Sequence, residues 1–94
     1  MAARYAFGST LREVRFHLCS SSQASDAART FIKRAYPTMK KHNPETPILI
    51  REATGVAPKV WARYAKGVER SEELSGLSDK EIEDKVSTLV KAES

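Results

Sequence analysis

The residue best able to do covalent chemistry is Cys19. In Cys19-Ser20-Ser21-Ser22 it has the C-x-x-S spacing of a monothiol site. A thiol held at a helix N-terminus has a lowered pKa and becomes nucleophilic. Ser25, however, is the better helix cap, and that choice leaves the thiol several residues short of the helix end. Cys19 is also the single cysteine. No second thiol can resolve a mixed disulfide, close an intrachain disulfide or complete a four-cysteine metal site. A small, partly buried side chain is the plainer role.

Metal and phosphate chemistry have less to work with. His17 and His42 have no cysteine or acid beside them in ligand spacing, and both read as ordinary surface residues. Glu45, Glu52, Glu69, Glu72, Glu73 and the acids of the last helix read as solvated charges. The glycines at 8, 55, 67 and 76 are scattered, so no phosphate-cradling loop is present. Catalytic, cofactor and metal residues are therefore expected to be none.

Recognition chemistry has two candidates. Arg29, Lys33, Arg34, Lys40 and Lys41 make a basic patch. Binding RNA would call for interleaved aromatics on which bases stack, and only Tyr36 is available, so protein docking is the better use. The second candidate is Trp61, Arg63 and Tyr64. On a central strand Trp61 is expected in the core, with Arg63 paired to an acid or stacked on the ring. Exposed, the cluster would instead anchor an interface.

These residues need elements to hold them. In Leu11–Leu18, Val14, Phe16 and Leu18 alternate with Glu13, Arg15 and His17, the period of a strand. Residues 19–23 read as a loop. Ser25 then caps a helix whose first turn holds Asp26, favourable at the dipole, and whose stripe is Ala28, Phe31, Ile32 and Ala35. Pro37 is expected to end or kink it at Tyr36, with a helical continuation through residues 38–42 open before Asn43-Pro44. Residues 47–51, PILIR, form a short apolar run of the kind that suits a central strand buried on both faces. Pro58 fixes the turn into a strand at residues 60–65. Lys66-Gly67 marks a tight turn, and residues 68–74 return as a polar edge strand. Ser78 and Glu81 make a capping box, flanked by Leu77 and Ile82 as a staple, and Ile82, Val86, Leu89 and Val90 form the last buried stripe.

The order is strand, helix, three strands, helix. Ninety-four residues make one domain with a modest core, expected as a 1–10 extension and an 11–94 domain. No apolar run reaches the roughly 18 residues that cross a bilayer. The net charge of +4 is uneven. Residues 1–42 hold eight Lys/Arg against Glu13 and Asp26, a balance of +6, while residues 43–94 hold eight against ten acids, a balance of −2. The basic half fits a docking surface, or simply a solvated helix. MAARYAFGSTLR has two arginines, no acid and no secretory apolar region, which suits mitochondrial import with little or no cleavage.

A βαβ unit followed by ββα resembles the thioredoxin core, and Pro58, the strand after it and Lys66-Gly67 follow the thioredoxin order. That predicts an α/β fold, a four-stranded mixed sheet and helices on both faces. A more specific resemblance lies in LREVRFHLCS (11–20), NPETPILIRE (43–52) and PKVWARYAKG (58–67). These resemble the thioredoxin-like accessory subunit, B-eight type, of mitochondrial NADH:ubiquinone oxidoreductase, with Trp61-Ala62-Arg63-Tyr64 the most diagnostic run. The resemblance covers roughly residues 11–91. It implies a non-catalytic accessory subunit of complex I, peripheral on the matrix side of the inner membrane. Its implied contact is the large iron–sulfur subunit, and its implied task is assembly or stability of the matrix arm. Animal members have a cysteine matching Cys19 and a second one after the Arg-Glu pair. Here Arg51-Glu52 is followed by Ala53, which argues against a redox switch. Mitochondrial ribosomal proteins share the domain and supply one alternative, and a monothiol oxidoreductase supplies the other.

Overall fold

The computed structural model describes residues 7–19 and 23–92. Six regular elements follow one another: β1 (Leu11–Leu18), α1 (Asp26–His42), β2 (Ile48–Glu52), β3 (Lys59–Tyr64), β4 (Glu69–Glu73) and α2 (Asp79–Lys91). The strands form one sheet in the order β2-β1-β3-β4. β2 runs parallel to β1, while β3 and β4 are antiparallel to their neighbours. The chain therefore makes the expected α/β, thioredoxin-like arrangement with a four-stranded mixed sheet.

The placing of helices on both faces is corrected. Val14, Phe16 and Leu18 of β1 and Val60, Ala62 and Tyr64 of β3 share one core with the buried stripes of α1 and α2. The two helices lie side by side on that face, and Arg34 of α1 reaches Asp79 and Glu83 of α2. The reason is visible in the connections. One crossover helix joins β1 to β2, and only a loop joins β2 to β3, so among the described residues no element passes to the other side. The side chains there are also mostly charged, and a second helical layer would have little apolar surface to bury.

β2 is an edge strand, not the central one its composition suggests. β1 and β3 take the middle, and only Ile48 of β2 is buried while Ile50 is 40% exposed. An apolar run reports apolar company on its faces and says nothing of whether both edges are paired. β1 shows how its alternation is kept in register. A shift between Leu11 and Glu13 inserts an extra residue and returns Leu11 to the core, three positions from Val14.

α1 takes the longer of the two courses open to it and runs through Pro37 to His42. Pro37 lies on the exposed side, where the carbonyl it leaves without an N–H can turn to water. Asn43 closes the helix, donating both its backbone N–H and its side-chain amide to the Met39 carbonyl, at 3.0 and 2.9 Å. Ser25 precedes the helix but does not cap it with its side chain. Its buried hydroxyl accepts the Cys19 N–H at 3.0 Å instead.

The second half follows its local signals. The turn after β3 places Lys66 and Gly67 at φ +67° and +78°, left-handed values that glycine adopts without penalty. The Tyr64 N–H donates to the Val68 carbonyl at 2.7 Å and closes the hairpin. Pro58 is buried at the entry to β3, and its carbonyl accepts the Leu74 N–H. The peptide bonds of the described residues are all trans. At α2 the capping box is complete. The Glu81 N–H donates to the Ser78 hydroxyl at 3.2 Å and the Ser78 N–H donates to the Glu81 carboxylate at 2.9 Å.

The segment before β1 is tied to the end of α2. The Gly8 N–H donates to the Val90 carbonyl at 2.8 Å, and Phe7 packs against the core.

Candidate docking surfaces

Cys19 directly follows β1 and is held from three directions. Its N–H donates to Ser25, its carbonyl accepts from the Arg29 guanidinium, and its sulfur accepts the Gly55 N–H at 3.3 Å. Gly55 stands at φ +84° in the loop after β2, and that turn aims its N–H at the sulfur. The thiol is 2% exposed. Ser20, Ser21 and Ser22 of the C-x-x-S pattern lie outside the described residues, as do residues 1–6 of the basic head. What the described residues show is a shielded sulfur packed between two loops.

The basic patch of α1 comes apart in the structure. Arg29 pairs with Asp26 one turn earlier as well as holding the Cys19 carbonyl. Arg34 spans to α2, 2.8 Å from Asp79 and 3.4 Å from the buried Glu83. Lys40 donates to the Thr46 carbonyl at 3.0 Å and fixes the loop into β2. Three of the five cations are thus spent inside the fold. Lys33 and Lys41 point to solvent. Lys33 also rims a shallow apolar groove between α1 and the edge strand, lined by Leu18, Ile32, Tyr36, Pro37 and Ile50.

The β3 cluster divides by strand parity. Tyr64 is fully buried, and its hydroxyl donates to the Leu89 carbonyl at 2.6 Å. It is not on a surface, so its candidacy as a docking residue is withdrawn. Burial pushes its phenol pKa up from 10.0, and nearby Arg70 partly opposes that rise. Trp61 goes the other way. The core expectation for it is corrected: the side chain lies half-buried on the open face, with Lys59 Nζ 5.3 Å and Arg15 Cζ 5.9 Å from the ring centroid. The helix-covered side of β3 takes Val60 and Ala62, which are small enough to let two helices approach. Arg63 shares the open face and pairs with Glu13 at 3.3 Å.

Strand pairing arranges the open face in rows. Arg51, His17, Lys59 and Glu73 stand abreast across the four strands. The next row is Leu49, Arg15, Trp61 and Ser71, and the third is Glu13, Arg63 and Glu69. Arg15 reaches both Glu13 and Glu69, at 3.6 and 3.4 Å, so the third row and Arg15 balance one another. Among the described residues, no carboxylate forms an ion pair with Arg51 or Lys59. His17 stands between these two cations. Its pKa is lowered from 6.5, first by burial and then by Arg15, Arg51 and Lys59. Strand alternation could have placed Arg15, His17 and Lys59 outside. Their assembly with Arg51 needed the register between strands distant in sequence.

A family model described as the mitochondrial ribosomal protein L51 / S25 / CI-B8 domain matches residues 28–79. The chain is 55% identical over 91 residues to the NADH-ubiquinone oxidoreductase 10.5 kDa subunit of Neurospora crassa, covering 97% of each chain. It is 46% identical over 92 residues to NADH dehydrogenase (ubiquinone) 1 alpha subcomplex subunit 2 of Arabidopsis thaliana, covering 98% of this chain and 95% of that one. The Mus musculus protein of the same name is 48% identical over 83 residues, with coverage of 86% and 84%.

Proposed function

The chain belongs to the mitochondrial ribosomal protein L51 / S25 / CI-B8 domain family, and from that membership we propose that it is an accessory subunit of mitochondrial NADH:ubiquinone oxidoreductase. The observation that carries this is the 55% identity to a subunit of that enzyme along 97% of both chains. Relatives from a plant and a mammal that bear complex I subunit names support the same reading over the ribosomal one.

The subunit works by occupying a place in the assembly rather than by passing electrons. Support for this comes from Cys19, whose sulfur is buried beneath the Gly55 amide and presents no surface to a redox partner. Its position is peripheral, on the matrix side of the inner membrane, and no helix among the described residues is long and apolar enough to cross a membrane. Its neighbours are other complex I subunits, with the large iron–sulfur subunit as the expected contact, and its task is to stabilise the matrix arm.

Native electrophoresis of mitochondrial membranes, probed for this chain, tests the assignment. The chain should comigrate with complex I, and its deletion should lower the amount of assembled matrix arm. Comigration with ribosomes, or with neither assembly, would refute it.

A further inference from the structure

We propose that the open face of the sheet is the docking surface, and that its occupant is an acidic protein segment whose carboxylates meet the row Arg51, His17 and Lys59 while an apolar side chain rests on Trp61 and Leu49. This deepens the subunit reading and rests on it.

Three observations carry the inference. The first is the arrangement of charge. Arg51, His17 and Lys59 are direct lateral neighbours on β2, β1 and β3. Like charges directly opposite one another destabilise a sheet. Elsewhere on this face the chain avoids that cost by alternating Glu13, Arg63 and Glu69 and by running Arg15 between two acids. Among the described residues, only the first row keeps two cations without a paired acid, Arg51 and Lys59 on either side of His17, and its one acid, Glu73, stands at the far edge beside Lys59. The lowered proton affinity of His17 comes first from burial, and Arg15, Arg51 and Lys59 add to it in the same direction.

The second observation is the ring beside that row. Trp61 is the only tryptophan in the chain, and it is held half-buried at the middle of a sheet face that no helix among the described residues covers. Leu49 lies two strands away in the same row. Arg15 stands between the two, and a half-buried ring flanked by arginine and lysine is of the kind that anchors protein interfaces, where aromatic and arginine side chains carry much of the binding energy.

The third concerns which anion fits. Glu13, Glu69 and Glu73 share this face. They would repel a phosphate backbone laid across it, and one ring offers no platform for successive bases. A short protein segment can set its carboxylates on the cationic row and keep clear of the acids. The surface of α1 is the weaker candidate, since Arg29, Arg34 and Lys40 are engaged within the fold.

The test is lysine labelling with an acetylating reagent, applied to purified complex I and to the free subunit, read by mass spectrometry. Lys59 should label about tenfold or more slowly in the complex, while Lys33 and Lys41 label at similar rates in both. Equal labelling of Lys59 in a complex that contains the subunit would overturn the surface and leave the subunit reading intact. Absence of the subunit from the complex would overturn the reading itself. A paired variant separates docking from folding. Arg51→Gln with Lys59→Gln removes the two cations without setting a second acid opposite Glu73, so the free chain should melt close to wild type, yet incorporation should fall about tenfold. Normal incorporation of that variant would refute the proposal, as would Lys59 protection in a ribosomal fraction.

Discussion

The hydroxyl of Tyr64 donates to the carbonyl of Leu89 at 2.6 Å, joining the end of β3 to the last turn of α2. The final carbonyls of a helix have no partner within it, so this bond satisfies a buried acceptor that α2 cannot satisfy itself. Tyr64→Phe should cost about 0.5–1.5 kcal/mol. Thermal melts of the two proteins check it. The pH dependence carries the same signature. Because the folded pKa lies above 10.0, the native state holds its proton longer than the unfolded chain. Stability present below pH 10 is therefore lost as pH rises further, and Tyr64→Phe should lose less over that range.

Arg34 ties the two helices through Asp79 and Glu83, and Glu83 is 6% exposed. Arg34→Ala removes a countercharge from a buried carboxylate and should destabilise the chain by about 1–3 kcal/mol. Adding Glu83→Gln should recover part of that loss in a double-mutant cycle. Additive losses would show that the pair is not coupled. Charge reversal of Arg29, Lys33 and Arg34 together would thus damage the fold, and Lys33→Glu with Lys41→Glu is the cleaner probe of α1 as a surface.

His17 gives a pH test on the sheet face. Arg15 on its own strand, Arg51 on β2 and Lys59 on β3 oppose its protonation in the folded state, and burial opposes it more. Its folded pKa lies below the unfolded value of 6.5, so the unfolded chain binds the proton more readily. Stability complete above pH 6.5 should fall as pH drops through the lowered value. Chemical denaturation of wild type and His17→Gln at pH 7.5 and 5 should show the variant losing less on acidification. Parallel losses would sink this account.

Cys19 should behave as a packing residue. In the native chain a thiol reagent should react roughly a hundredfold or more slowly than in denaturant, since access requires local opening. Complex I containing Cys19→Ser should oxidise NADH at the wild-type rate per assembled flavin. A thiol as reactive in the native protein as in the unfolded one would contradict the shielding by Gly55.

How much of this was legible depended on how local each signal was. Ser78 and Glu81 are three residues apart and their capping box formed as read, because both partners sit within one turn. Ser25 failed as a side-chain cap because a competitor outside the helix, the N–H of Cys19 at the end of the preceding strand, took its hydroxyl. Parity placed Trp61 and Arg63 on one side of β3 and Val60, Ala62 and Tyr64 on the other. It could not say which side the helices would cover, and size argued wrongly for Trp61. The edge position of β2 and the row Arg51, His17 and Lys59 depend on pairing between segments more than 30 residues apart in sequence, which no local window contains.

The Gly8–Val90 hydrogen bond brings both ends of the described fold to one place. Tyr64 pairs with Leu11 at that end of the sheet, while Lys59 and His17 lie at the opposite end. A reporter or affinity handle joined directly before Phe7 or after Ala92 would therefore leave from the side remote from the cationic row. A circular permutant is also within reach. A short glycine linker could bridge Phe7 and Ala92, and a new opening in the exposed loop near Thr54 would leave every described strand and helix whole.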